Sequence, residues 1–149
     1  YDITPSLIKR DTSKERKRIW SENVSKQILP ILRKIVISKE GTASLANVEG
    51  YEIGGKTGTA NKSLSGEYSN KKINTFVSVF PISKPKFVLA VMLDEPKINE
   101  SYIYEYRDGS NFKLKGSPRN TAGWNSVEVS GHIVEKIGPI LATKYSEVN

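Results

Sequence analysis

The sequence predicts an α+β domain, an antiparallel sheet meander flanked by an N-terminal and a C-terminal helix. Three observations carry this reading. The apolar runs "TFVSVFPI" (75–82) and "KFVLAVML" (86–93) are separated only by "SKP". A connector that short joins antiparallel neighbours, because parallel neighbours need a crossover of about a dozen residues or more. Apolar residues recur at helical spacing both before and after this pair. The 149 residues, 37% hydrophobic and 26% charged, suffice for one modest core.

The elements follow in order. Residues 1–19 hold Pro5 and clustered charges without periodicity, so a short extended piece and a loop are expected. Ser21 is a candidate N-cap for a helix in which Val24, Ile28, Ile31, Leu32, Ile35 and Val36 share a face as far as Ser38. Pro30 removes a backbone donor, so it should kink that helix or mark where its regular part begins. The turn-rich "EGTASLANVEG" leads into a strand over 51–60, and the two apolar runs complete the meander. Tyr102, Tyr104 and Tyr106 alternate ahead of Asp108-Gly109 and "NFKL", the pattern of a small hairpin. Val129, Ile133, Ile137, Ile140 and Leu141 mark the last helix from about Asn125, with an interruption expected near Gly138-Pro139.

Composition narrows function. There is no cysteine, which excludes disulfides and thiolate metal sites and leaves the compartment open. No stretch is apolar enough to span a bilayer, so any membrane anchor is expected outside these residues. The net charge of +7 gathers in Lys9–Arg18 and Lys62–Lys86. Such charge suits an anionic partner, but a solvated lysine-rich surface is the simpler reading, and no nucleic acid is expected.

One stretch carries chemistry in two incompatible ways. In "GYEIGGKTGTA" (50–60), Gly50, Gly55, Lys56 and Thr57 fit a phosphate-binding loop, and "VLAVMLDE" (88–95) imitates the magnesium-holding strand of nucleotide hydrolases. A phosphate loop needs a buried strand before it and a helix starting at the Lys-Thr. "SLANVEG" is too polar for the first, and "GTANKSLSGEYSNKK" is a poor helix, so the nucleotide reading fails. Read as a strand, the stretch places Lys56 on one face and Thr57 and Thr59 on the other, usable together only along an exposed edge. An extended peptide could add to that edge, with Lys56 supplying charge, the threonines holding a carboxylate and an amide facing an oxyanion. Gly54, Gly55 and Gly58 are explained by close approach of a ligand to the backbone, or by a purely structural strand. Spacing alone leaves the two open.

The segments "PSLIKRD", "SENVSKQILPILRKIVIS", "EGTASLANVEGYEIGGKTGTANK", "TFVSVFPISKPKFVLAVMLDEPK" and "TAGWNSVEVSGHIVEKIGPIL" together resemble the C-terminal half of the transpeptidase domain of class B penicillin-binding proteins, especially the division-specific type. The resemblance implies a penicillin-binding, serine β-lactamase-like fold and a peptidoglycan D,D-transpeptidase that works through a serine acyl-enzyme and binds β-lactams. It implies stem peptides as substrate, divisome membrane proteins as partners, a periplasmic site at the inner membrane, and no cofactor or metal. Carried over, Lys56 and Thr59 are catalytic, with Lys56 supporting the nucleophile and the Thr59 amide forming half of an oxyanion hole. Thr57, Gly58 and Thr59 bind substrate.

Departures accompany the likeness. The family's SxxK nucleophile and SxN motifs are expected upstream of residue 1, so residues 1–149 form an incomplete domain, inactive alone and prone to dimers or swapped assemblies. SxxK spacings at Ser6-Lys9, Ser69-Lys72, Ser83-Lys86 and Ser110-Lys113 open no expected helix, and Ser21-Glu22-Asn23 reads as a cap. Glu128 stands where relatives usually have proline, and 98–119 exceeds the family's needs and reads as a neutral insertion. His132 is expected solvated or half-packed, Asp94 and Glu95 as turn charges, Trp20 and Trp124 as packing residues. A non-catalytic module binding cell-wall polymer or a divisome protein is the alternative function.

Overall fold

The computed structural model describes residues 17–64, 66–117 and 119–146. Its elements are helix α1 (Glu22–Ile37), strands β1 (Gly54–Leu64), β2 (Glu67–Phe80), β3 (Phe87–Asp94), β4 (Ile103–Glu105) and β5 (Lys113–Lys115), and helix α2 (Ser126–Ser146). Short 3-10 turns stand at Ser44–Ala46 and Ala122–Trp124. The main sheet has the order β1-β2-β3, antiparallel throughout, and β4-β5 form a separate hairpin. The α+β meander with flanking helices is therefore the observed architecture.

Boundaries differ from the sequence reading for physical reasons. β1 starts at Gly54 rather than Tyr51, because the chain at Gly50 and Glu52 takes positive φ (84° and 30°) and cannot continue a ladder. β1 then runs on to Leu64 and β2 begins at Glu67, eight residues before the expected Thr75. The polar "NKSLSGEYSNKK" extends the hairpin, with a register shift between Asn61 and Ser63. Hydrophobicity could not signal this part, because its side chains are largely exposed.

Neither helix is interrupted by its proline: α1 is continuous through Pro30 and α2 through Pro139. Ser21 caps α1 as expected, its Oγ accepting from the Val24 amide at 3.3 Å. The buried faces are less well anticipated. On α1 only Val36 is buried, while Val24, Ile28 and Ile31 are exposed, as is Trp20 at 68%, which corrects its expected packing role. On α2 the buried positions are Ser126, Val127, Glu128, Ser130, Gly131, Val134 and Gly138, beside the expected apolar stripe, and Ile140 is exposed. Small residues win this face because neighbours approach closely. A Cβ on Gly131 would stand 2.6 Å from the Leu45 carbonyl oxygen, and one on Gly138 would meet the Tyr51 ring at 2.4 Å.

The core joins Val36, Leu45, Val48, Ile53, Phe76, Phe80, Tyr104, Val127 and Val134. Gly54 and Gly55 of β1 are buried beside it, and Gly58 is half-buried. A Cβ on Gly54 would meet the Ile82 side chain at 2.4 Å, one on Gly55 the Val77 carbonyl and Phe76 ring at 2.6 and 2.7 Å, one on Gly58 the Thr75 hydroxyl at 2.6 Å. The close approach expected of a ligand is thus made by the chain itself.

Candidate active site

β1 pairs with β2 alone among the described strands. Along its other side alternate amides and carbonyls face away from the ladder, so the expected open edge is present. The register pairs Lys56 with Val77 and Gly58 with Thr75, while Thr57 lies opposite the buried Phe76 and Thr59 opposite the buried Asn74. This alternation points the two threonines to the core side of the sheet and Lys56 to the other.

Thr57 and Thr59 form one wall of a cleft of about 440 Å³. Lys39, Thr42 and Leu45 line it from the segment around the first 3-10 turn, Arg119, Thr121 and Trp124 from the segment around the second, and Tyr106 from beyond β4. The Thr57 and Thr42 hydroxyls are 3.0 Å apart, and the Ala122 amide donates to Thr59 Oγ1 at 3.0 Å. Because Thr59 Oγ1 accepts that bond, its own proton remains available, and one proton of the Thr42–Thr57 pair is likewise uncommitted. Two hydroxyl donors on one wall suit a carboxylate. Lys56 is not brought into this cleft: its Nζ donates to the Thr57 carbonyl at 2.8 Å on the exposed face.

Sequence reasoning named one wall and missed the others. Thr42, Lys39, Tyr106, Arg119 and Thr121 come from three segments far apart in the chain, and no local spacing ties them to Thr57. Other expectations hold. The three SxxK serines in described regions lie in β2 (Ser69), after β2 (Ser83) and between β4 and β5 (Ser110), none at a helix start; Ser6 lies outside the described residues. Asp94 and Glu95 are surface charges held by Lys62 (2.9 Å to each), and Lys71 also pairs with Glu95. The hydrogen bond from Lys62 is the main cause of a Glu95 carboxyl held below its ordinary range. These bonds, with those from Lys72 to Asn120 and Lys86 to Tyr145, engage much of the basic 62–86 cluster within the chain.

The segment 98–119 is no loose appendage. Arg107, 9% exposed, forms a two-pronged ion pair with Glu128, 4% exposed, with both N···O distances 3.0 Å. Arg107 Nη1 also donates to the Leu45 carbonyl at 3.1 Å and Nε to Glu135 at 3.2 Å. Burial disfavours its charge, but the hydrogen bonds and charge of Glu128, with help from Glu135, outweigh that and raise its pKa. His132 is half-buried, its ring nitrogens 2.8 and 2.9 Å from Arg107 Nη2. Tyr104 donates to the Trp124 carbonyl at 2.9 Å and packs edge-on against its ring. Glu128, read as a departure at a helix start, is the anchor of the other departure.

A β-strand through Thr57 leaves no helix to face a phosphate, which removes the nucleotide-hydrolase alternative. The comparison with known proteins agrees: residues 2–111 match the family described as penicillin binding protein transpeptidase domain. The chain belongs to that family. Among its relatives this transpeptidase-family chain is 30% identical to the probable peptidoglycan D,D-transpeptidase FtsI of Caulobacter vibrioides, over 87% of the chain and 21% of that protein. It is 41% identical to stage V sporulation protein D of Bacillus subtilis, over 64% of the chain and 15% of the relative. Among solved structures, the transpeptidase domain of Burkholderia pseudomallei penicillin-binding protein 3 superposes with a TM-score of 0.64 at 28% identity, covering 92% of this chain and 35% of that one. The chain therefore spans about a fifth or less of these two curated relatives.

Proposed function

We propose that this chain is the C-terminal part of a peptidoglycan D,D-transpeptidase that cross-links stem peptides through a serine acyl-enzyme and is acylated by β-lactams. The observation that supports it most is the pair of Thr57 and Thr59 hydroxyls lining one cleft from an edge strand, in a chain of this family. The nucleophilic serine belongs to a part of the domain outside residues 1–149. In the reaction that serine bonds to the peptide carbonyl carbon, the amide bond breaks, and the amine departs with a proton. Thr57 and Thr59 hold the donor's terminal carboxylate, and Gly58 between them gives β1 the close approach to Thr75 that keeps this wall in place. The Thr59 amide faces the oxyanion, and Lys56 supplies positive charge and a hydrogen bond from the other side of β1. Without the serine, residues 1–149 bind but do not turn over substrate.

The site of action under this reading is the periplasmic face of the inner membrane. Among the described residues no helix is long and apolar enough to cross a membrane. The reading gives the full-length gene product a membrane anchor and divisome partners. Fluorescent penicillin labelling of the full-length gene product tests the reading. Labelling is expected in the wild type and is expected to fall about 100-fold or more in Lys56→Ala, the size of effect seen when one transition-state donor is lost. Because Lys56 is exposed, thermal melting should not change. Wild-type labelling in that variant would remove the Lys56 assignment. No labelling of the wild type would leave the non-catalytic cell-wall module as the better description.

A further inference from the structure

Asn74 is fully buried on β2, opposite Thr59 in the ladder, so the two side chains leave the sheet on the same face. Its Nδ2 donates to Asn120 Oδ1 at 3.0 Å. Asn120 makes three further bonds. Its Nδ2 donates to the Pro96 carbonyl after β3, its Oδ1 accepts from Asn125 at 3.3 Å, and its main-chain carbonyl accepts from Lys72 of β2 at 3.2 Å. Two residues on, the Ala122 amide donates to Thr59 Oγ1 at 3.0 Å. The segment 120–122 is therefore tied to facing positions on two adjacent strands, and the circuit closes through the β1–β2 ladder.

This circuit fixes which way the Asn74 amide faces. Asn120 commits its own Nδ2 to Pro96, so it offers Asn74 only an acceptor, and Asn74 turns its Nδ2 toward it. Asn74 Oδ1 is then left buried without a hydrogen-bond partner among the described residues. Such an acceptor is unfavourable, and an apolar side chain at this position would not carry it. The asparagine is explained by what its Nδ2 holds in place.

We propose that Asn74 and Asn120 are positioning residues for the Thr59 hydroxyl. They hold the Ala122 amide on the acceptor side of Thr59 Oγ1, so that the hydroxyl proton is directed to the cleft that Thr59 lines and meets a carboxylate as a donor without reorienting. A hydroxyl free to rotate would present a lone pair to the same anion part of the time. Neither asparagine lines the cleft, so both act only through Thr59. The inference rests on the transpeptidase reading and makes the preference for a carboxylate a property of the 120–122 segment as well as of β1.

The test uses the full-length gene product with a penicillin bearing its free carboxylate and the methyl ester of the same penicillin. The measured quantity is the ratio of their second-order acylation rates, read by competition with a fluorescent penicillin. The wild type is expected to prefer the acid by about tenfold or more, and Thr59→Val should lose most of that preference. Asn120→Ala and Asn74→Ala should each lower the ratio about threefold or more, with the ester's own rate changed by less than about twofold. Asn120→Ala added to Thr59→Val should lower the ratio no further, because two changes acting through one hydroxyl do not add. Asn120 is half-buried, so Asn120→Ala decides the outcome if the buried Asn74→Ala variant does not fold. Equal losses for acid and ester in Asn120→Ala, or a further loss of preference in the double variant, mean a purely structural role and overturn the inference. A ratio near one in a wild type that penicillin labels also overturns it and leaves the acyl-enzyme reading standing. A wild type that penicillin does not label overturns both.

Discussion

The cleft wall at Thr57 and Thr59 and the cluster around Arg107 both consist of polar side chains drawn from distant segments, yet they are built in opposite ways. Around Arg107 nearly every donor has an acceptor inside the protein: Glu128, Glu135, the Leu45 and Glu105 carbonyls and His132. At the cleft, the Thr59 hydroxyl proton and one proton of the Thr42–Thr57 pair have no acceptor among the described residues. A buried network that satisfies itself stabilises a single arrangement, whereas one left incomplete at the surface is ready for a ligand. Polarity alone does not distinguish a site from a structural anchor; spare bonding capacity does.

The largest effect should come from the anchor. Arg107→Met leaves the Glu128 carboxylate buried without its partner and should destabilise the protein by about 3–5 kcal/mol, read by denaturant unfolding. Adding Glu128→Leu should recover most of that loss, since an apolar pair of similar volume replaces a buried ion pair at little net cost. If the double variant is no better than the single one, the guanidinium's bond to the Leu45 carbonyl matters more than the ion pair.

A smaller effect is expected where the cleft strand backs onto the core. Gly55→Ala forces a methyl against the Val77 carbonyl and the Phe76 ring, and overpacking of this kind costs about 1–3 kcal/mol. Thr42→Val, on the ligand side, should cost less than about 1 kcal/mol, because water replaces the lost hydroxyl for Thr57 at this exposed position. A Thr42→Val penalty equal to that of Gly55→Ala would erase the distinction between the two regions.

The mildest test is alkaline titration. Burial, then the Glu128 carboxylate, raises the Tyr102 hydroxyl above its ordinary pKa of 10.0, and burial does the same for Tyr104. A raised folded-state pKa means the native state holds its proton longer than the unfolded one. The associated stability is present below about pH 10 and fades as pH rises through the folded value. Thermal melts across that range should decline less in Tyr102→Phe than in the wild type.

Much of the fold could be read from the sequence because it rests on short-range signals. The "SKP" connector dictated an antiparallel pair, Ser21 announced α1, and alternation about Lys56 assigned the faces of β1. What escaped was decided by distance. The buried face of α2 is set by how near Leu45 and Tyr51 come to Gly131 and Gly138, and hydrophobic periodicity is silent about proximity. The cleft was half legible for the same reason. Thr57 and Thr59 lie on one short strand, whereas Lys39, Tyr106 and Arg119 join them only after folding. Glu128 and segment 98–119 read as unrelated oddities until Arg107 connected them.

Gly131 sits behind the wall that carries Leu45, and the missing side chain there leaves just enough room for the arginine–carbonyl contact. Any β-carbon at that point would press on the turn bearing Ser44 and Leu45, which line the cleft. A change at Gly131 can therefore reshape the cleft from the far side of the last helix, at a position that does not line it.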